Sequence, residues 1–298
     1  MQNHLLDEVL ARHRQPHESE AAVIQRLRRA DSRLTALYRR RDVEAAAAYN
    51  DPLIRAAYLL RYLPHYTLQI GDLLRDLEGI PEVALILGQS ELRHVALCGG
   101  PAPEPIALAL LHAQAGGQRL RTTVLDRMAE AWSDCWPISA STARAFSGHS
   151  AIEIDGAATN LADPPEPREL ELLADCQLLT LMNALNELMG RGTARLEQQL
   201  DARLAVLPPG ALVLISDQAR YRRCQEGMAL LRRLLLQRGA RLLIDRTSRN
   251  RMHVMGNRFR PSPRRRNLYG QSAGPGGPAT RFYRTWNRQL QLAALLPD

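Results

Sequence analysis

The sequence predicts an α/β protein, a doubly wound and mostly parallel sheet preceded by a helical N-terminal extension. Three observations carry this. His94 to Leu110 reads as a short buried strand, a Gly/Pro turn and a helix. Leu120 to Asp126 reads as the next strand, ending in a carboxylate 27 positions after Gly99. Apolar, strand-like runs then alternate with helical patterns as far as Asp245, the order expected of βαβ units.

In the first of these stretches Val95 to Cys98 is continuously apolar, as in a strand buried on both faces. Ile106, Leu110 and Leu111 fall at helical spacing, and Pro105 suits a first helical position, where its missing N–H costs nothing. Gly99 and Gly100 let the backbone turn sharply and approach a ligand closely. The amides that open the following helix are expected to be free for an anion or a polar ligand. A carboxylate at the end of the second strand can accept both ribose hydroxyls of a nucleoside cofactor. The turn reads Gly-Gly-Pro-Ala-Pro-Glu and not G-x-G-x-x-G, so a dinucleotide pyrophosphate fits it poorly.

With 298 residues and 45% apolar content, the chain can bury a sizeable core. No run approaches 18 apolar residues and the N-terminus has early acids without a long apolar stretch. No membrane span, no secretory signal and a cytoplasmic location are therefore expected. Cys98, Cys135, Cys176 and Cys224 make no C-x-x-C pair and are expected to be free, mostly buried thiols. No metal-ligand spacing is visible. Every basic residue is arginine, and residues 219–298 carry 18 of them against three acids, whereas residues 89–218 are net acidic. Two explanations stand: a polyanion partner such as RNA, or a basic C-terminal part folded over an acidic core.

Residues 1–88 read as helices, with Leu5, Leu6, Val9 and Leu10 in the first and Val23, Leu27, Leu34 and Leu37 on one side of the second, Glu18 to Arg41. Asp42 is placed to cap Val43 to Tyr49, and Asp51-Pro52 opens a helix that Pro64 is expected to interrupt. Arg61-Tyr62-Leu63-Pro64-His65-Tyr66 gathers a cation, two tyrosines and a histidine. It suits either a stacking wall of a pocket or a tyrosine-bearing helix interface. Further along, Ala129 to Trp132 starts a helix, Ser139 to His149 reads as a polar connection, and Ala151 to Asp155 is a third strand by its alternation. Asp175 to Met182 is the fourth, followed by Asn183, Asn186 and Glu187. Pro208-Pro209-Gly210 leads into a fifth strand and Ala240 to Asp245 is the sixth. Met252 to Met255 or, preferably, Arg281 to Trp286 is the return strand, since Phe282 and Trp286 are spaced to share a face.

This ordered set resembles the class I S-adenosylmethionine-dependent methyltransferases over residues 90 to 257, extending towards 288. More narrowly, Cys-Gly-Gly-Pro with the following Glu104, the Asp126 to Trp132 spacing and Asn186-Glu187-Leu188 look like the group that includes fungal large-subunit rRNA uridine methyltransferases. The resemblance implies a seven-stranded methyltransferase-type sheet over residues 89–298, closed by an antiparallel hairpin, with residues 1–88 as a lid or substrate wall. It implies S-adenosylmethionine as cofactor. Cys98, Gly99, Gly100 and Pro101 would border its methionine part, Asp126 with the adjoining Arg127 its ribose, and Asp155 its adenine, with Asp163 a competing candidate. Trp132 or Met128 would touch the adenine face or simply pack. Asn183 and Glu187 would lie beside the methyl group, with Tyr66 or His65 as base or stacking wall. The Asn/Asp-Pro-Pro-aromatic turn of amino-directed nucleic-acid methyltransferases is absent after the fourth strand.

The remaining stretch, Arg258 to Ala279, is rich in Arg, Pro and Gly. Arg258, Arg260, Arg264, Arg265 and Arg266, interleaved with Phe259 and Tyr269, suit phosphate contacts and base stacking. The expected function is methyl transfer to RNA, rRNA or tRNA. The alternatives are a methyltransferase of a small metabolite and a non-catalytic RNA-binding or assembly protein that keeps the fold.

Overall fold

The structure, a computed structural model, describes residues 1–40, 48–149, 151–190, 193–249 and 287–295. Four helices come first: α1 (Gln2–His13), α2 (Glu20–Arg40), α3 (Pro52–Leu77) and α4 (Pro81–Leu87). Then follow β1 (Glu91–Leu97), α5 (Glu104–Gln114), β2 (Arg119–Asp126), α6 (Ala129–Trp132), α7 (Trp136–Ser147), β3 (Ala151–Ala158) and α8 (Pro167–Ala174). The second half comprises β4 (Leu178–Met182), α9 (Leu185–Leu188), α10 (Thr193–Leu204), β5 (Leu212–Gln218), α11 (Arg222–Gln237), β6 (Arg241–Arg249) and β7 (Asn287–Ala294).

The seven strands form one sheet in the order β3-β2-β1-β4-β5-β7-β6. The first five run parallel, and β7 is antiparallel to both β5 and β6. Leu, Ile, Val and Ala fill both faces of the central strands because helices cover both sides. One apolar cluster joins one face of the sheet to α5, α7 and the N-terminal helices, from Leu5 and Leu59 through Ile106 to Val124. The other packs α9, α10 and α11 on the opposite face, around Leu179, Val213 and Leu231. The connection reverses direction between β1 and β4, which opens a crevice at the carboxyl ends of those two strands.

Four expectations are corrected. Pro64 lies inside α3, which runs unbroken from Pro52 to Leu77. An internal proline costs about 3 kcal/mol or more. Burying Ile54, Leu59, Leu63, Ile70, Leu74 and Leu77 on the same helix returns ~1.5–3 kcal/mol each, which outweighs it. The supposed connection at 139–149 is mostly α7, with Trp136, Ile138, Ser139, Ala140, Thr142 and Ala143 buried. Its small Ser, Thr and Ala residues allow close approach to α5, and Gly148 ends it at φ +73°. Strand β3 continues past Asp155 to Ala158. The return strand is Asn287–Ala294; Met252 to Met255 and Arg281 to Trp286 lie outside the described residues.

His94 crosses the sheet interior. Its ring nitrogens meet the hydroxyl oxygens of Thr122 on β2 (3.1 Å) and Thr180 on β4 (2.9 Å). Burial pushes the imidazole down to about 3, so it is a neutral strut between three strands and not an acid or base. Between the unfolded pKa of about 6.5 and that value, only the unfolded chain takes up this proton. Stability is therefore lost as pH falls through this window, by up to ~1.4 kcal/mol per pH unit. His94→Gln is expected to flatten the loss of stability between pH 6.5 and 4 in urea titrations; parallel slopes for variant and wild type would contradict it.

Candidate cofactor and acceptor site

The turn after β1 is built from residues that leave little room for change. A Cβ on Gly99 would lie 2.8 Å from the Ala96 Cβ and 3.2 Å from Val124 Cγ1, closer than packed carbons tolerate. Cys98, Gly100 and Ala102 have left-handed φ values of 55°, 50° and 61°. Cys98 and Ala102 hold them without being glycine, the kind of strain that collects at binding sites. The Cys98 amide donates to Leu125 O (2.7 Å) and the Ala102 amide to Gly99 O (2.9 Å). Trp136 Nε1 donates to Gly100 O (3.0 Å) and Ser139 Oγ to Pro101 O (2.6 Å). Thr67 on α3 reaches Pro103 O at 3.4 Å. The turn is thus held by β2, α7 and the N-terminal helices together.

Asp126 stands at the end of β2, as the strand pattern implies. One carboxylate oxygen accepts from the Gly100 amide (3.0 Å) and the other from the Met128 amide (2.7 Å). This bond brings Cys98, Gly99, Gly100, Pro101 and Asp126 into one site. Arg127 beside it is exposed and Met128 half-buried. Trp132 is buried, with its indole 3.6 Å from where a Gly100 side chain would begin; it packs and forms the floor between the turn and the N-terminal helices.

Above that floor lies a belt of aromatic rings. Tyr49 and Tyr58 sit 4.8 and 5.3 Å from the Trp132 ring, Tyr58 is 4.8 Å from Tyr62, and Tyr62 stacks on Tyr66 at 6.1 Å. Tyr38 joins through Tyr62 and through a 2.6 Å hydroxyl contact with Tyr49. Burial pushes the Tyr49 and Tyr58 phenols upward, and the charges of Glu187 and Asp126 push Tyr49 further. These two therefore remain neutral and offer ring faces, not phenolates. Arg55, on the same helix, donates to both oxygens of Asp134 (3.0 and 2.5 Å) and to Tyr49 O (2.5 Å), fixing the belt against α6 and α7.

At the end of β4, Asn183 has φ +59° and its amide donates to Ser216 O at 3.0 Å. Glu187 is exposed on α9, and its effect on Tyr49 places it across the crevice from the belt. The two sequence-derived residues and Tyr66 therefore border one opening. Asp155 does not join them. It lies three positions short of the end of β3 and accepts from Thr123 Oγ1 at 2.9 Å. The competing Asp163 is tied to Arg195 (2.6 Å) and Asn160 (2.7 Å). The arginines at 258, 260, 264, 265 and 266 lie outside the described residues. The sequence reading missed Tyr58, Tyr49, Trp136 and the placement of Glu104; the i, i+4 spacing of Tyr58, Tyr62 and Tyr66 was the available signal.

With this geometry in hand, the fold is the class I methyltransferase type: a doubly wound sheet closed by a reversed seventh strand, with a glycine turn after β1 and an acid after β2. No family model matches the chain, and no curated protein does. Among solved structures it is similar to loganic acid methyltransferase with SAH, at 8% identity and TM-score 0.44 over 81% of this chain and 96% of that one. It is also similar to a 16S rRNA (adenine(1408)-N(1))-methyltransferase variant from Catenulisporales acidiphilia, at 13% and 0.41 over 73% and 92%. The CMeT domain of citrinin polyketide synthase gives 11% and 0.41 over 89% and 69%.

Gly156 is needed for the turn to be held as it is. A Cβ there would lie 2.3 Å from Val124 O and 2.5 Å from the Trp136 ring. Gly156→Ala is expected to displace Trp136, free Gly100 O and cost ~1–3 kcal/mol of stability, read as a blue- or red-shifted tryptophan emission with a lowered Tm.

Proposed function

We propose that the protein transfers a methyl group from S-adenosylmethionine to an acceptor held beneath the tyrosine belt. The observation that carries this is the Asp126 carboxylate, fixed to the Gly100 amide at the carboxyl edge of a sheet of this order. The residues suit such a cofactor better than a phosphate. Two acids, Asp126 and the buried Glu104, stand at the turn, and both repel an anion. When bound, the cofactor supplies a methyl group activated on a sulfonium. The chain's own contribution is alignment: Gly99 and Gly100 give close approach, Asp126 takes the ribose hydroxyls, and Asn183 and Glu187 border the opening from β4. Glu187 is the group for taking an acceptor proton, with Tyr66 stacking on a flat acceptor.

For the acceptor, RNA is the reading supported by the arginine-rich residues 258–266. A small aromatic metabolite is the second, favoured by the neutral tyrosine belt. A steep loss of RNA binding between 50 and 200 mM salt that disappears when Arg264, Arg265 and Arg266 are neutralised supports RNA; salt-insensitive binding favours the metabolite.

The cofactor reading is tested by calorimetric titration with S-adenosylmethionine and S-adenosylhomocysteine. Wild type is expected to bind both and Asp126→Ala to lose binding by at least ~10-fold, from two ribose hydrogen bonds to a charged group. A folded wild type that binds neither would sink the proposal.

A further inference from the structure

Glu104 opens α5, immediately after the glycine turn, and is 2% exposed. One of its carboxylate oxygens, Oε2, is buried without a hydrogen-bond partner. A buried acceptor left unmade costs ~1–3 kcal/mol, more when charged, so its persistence asks for a ligand.

The rest of the turn indicates which kind. Pro101, Pro103 and Pro105 have no amide to give an anion. The amides of Cys98, Gly100 and Ala102 already donate to Leu125 O, Asp126 and Gly99 O. The helix N-terminus is occupied by Glu104 itself, whose carboxylate faces its own amide; this corrects the expectation of a free anion site there. The carbonyls of Gly99, Gly100, Pro101 and Pro103 each already accept a hydrogen bond, from Ala102, Trp136, Ser139 and Thr67. A positively charged donor arriving at this turn therefore finds one open acceptor among these groups.

We infer that Glu104 is the receptor for the α-ammonium group of the cofactor's amino-acid end. The inference rests on the cofactor reading above and assigns a role to a residue in the one segment where the turn departs from a glycine-rich pattern. Burial, followed by the nearby Asp126 charge, pushes the Glu104 carboxyl up to about 8; an ammonium beside it would restore its ionised form. Glu104 and the ammonium then neutralise each other out of water, the arrangement in which a hydrogen-bonded charge pair is strongest.

Two ligands separate this role from a structural one. S-adenosylhomocysteine carries the amino-acid end; 5′-methylthioadenosine keeps the adenine, ribose and thioether and lacks it. Calorimetry on the full chain is expected to show Glu104→Gln weakening S-adenosylhomocysteine by about 10–100-fold, the range of a hydrogen bond to a charged group, while 5′-methylthioadenosine changes by less than about twofold. Glu104→Asp, which keeps the charge, is expected to recover part of the loss. Unchanged S-adenosylhomocysteine binding, or equal weakening of both ligands, overturns the inference and leaves the cofactor reading intact. Failure of wild type to bind either ligand overturns the cofactor reading itself.

Discussion

The hydrogen bond between the Gly100 amide and the Asp126 carboxylate joins the ends of two neighbouring strands, and the site is arranged around it. It holds only because the turn cannot relax away. The indole of Trp136, the hydroxyl of Ser139 and the more distant hydroxyl of Thr67 take up carbonyls along the turn. Trp136 in turn needs the space left by Gly156 in β3. A strained backbone with left-handed Cys98 and Ala102 is kept in place by donors from three separate parts of the chain.

Sequence was most readable where two signals agreed. Strands β1 and β2, the glycine turn and Asp126 combined apolar runs with turn chemistry, and the structure has them as read. Where local propensity and tertiary packing disagreed, packing won. Residues Trp136 to Ser147 look polar because their Ser and Thr hydroxyls bond to nearby carbonyls inside the protein, as Ser139 and Ser147 do. The Asn-Arg-Gln-Leu-Gln-Leu-Ala-Ala strand contains no β-branched residue and would pass for a helix end; pairing on both sides makes it a strand. Asp155 was misjudged because an early acid in an alternating segment looks like a strand end. The tyrosine belt was half legible: Tyr62 and Tyr66 stood out beside Pro64, but the contribution of Tyr49 depends on how α3 packs against α6.

The excess of arginine in the last eighty residues is partly answered within the fold. Arg232 pairs with Asp245, Arg233 with Glu197, Arg238 with Asp201, and Arg241 with Glu82. Such partly exposed pairs contribute only ~0–1 kcal/mol each, so they matter less for stability than for charge: these side chains offset local acids. A different pairing sits deeper. Arg203, 1% exposed, donates to Glu169 at 2.5 Å and to the carbonyls of Leu161 and Asp163, closing the loop between β3 and α8. Of the two explanations for the basic C-terminal part, internal neutralisation accounts for its described arginines, and a polyanion partner concerns residues 258–266.

The N-terminal helices share one apolar cluster with the sheet and with α5, running from Leu5 and Leu59 to Ile106 and Val124. To swing these helices outward like a door would expose several such side chains at ~1.5–3 kcal/mol each, about as much as the ~5–15 kcal/mol that keeps a whole domain folded. The wall over the crevice is therefore part of the same folding unit as its floor. Passage of ligands has to come from rearrangement of individual side chains or short segments at the rim, and a chain trimmed to the sheet region would lose the surface against which its own binding turn is shaped.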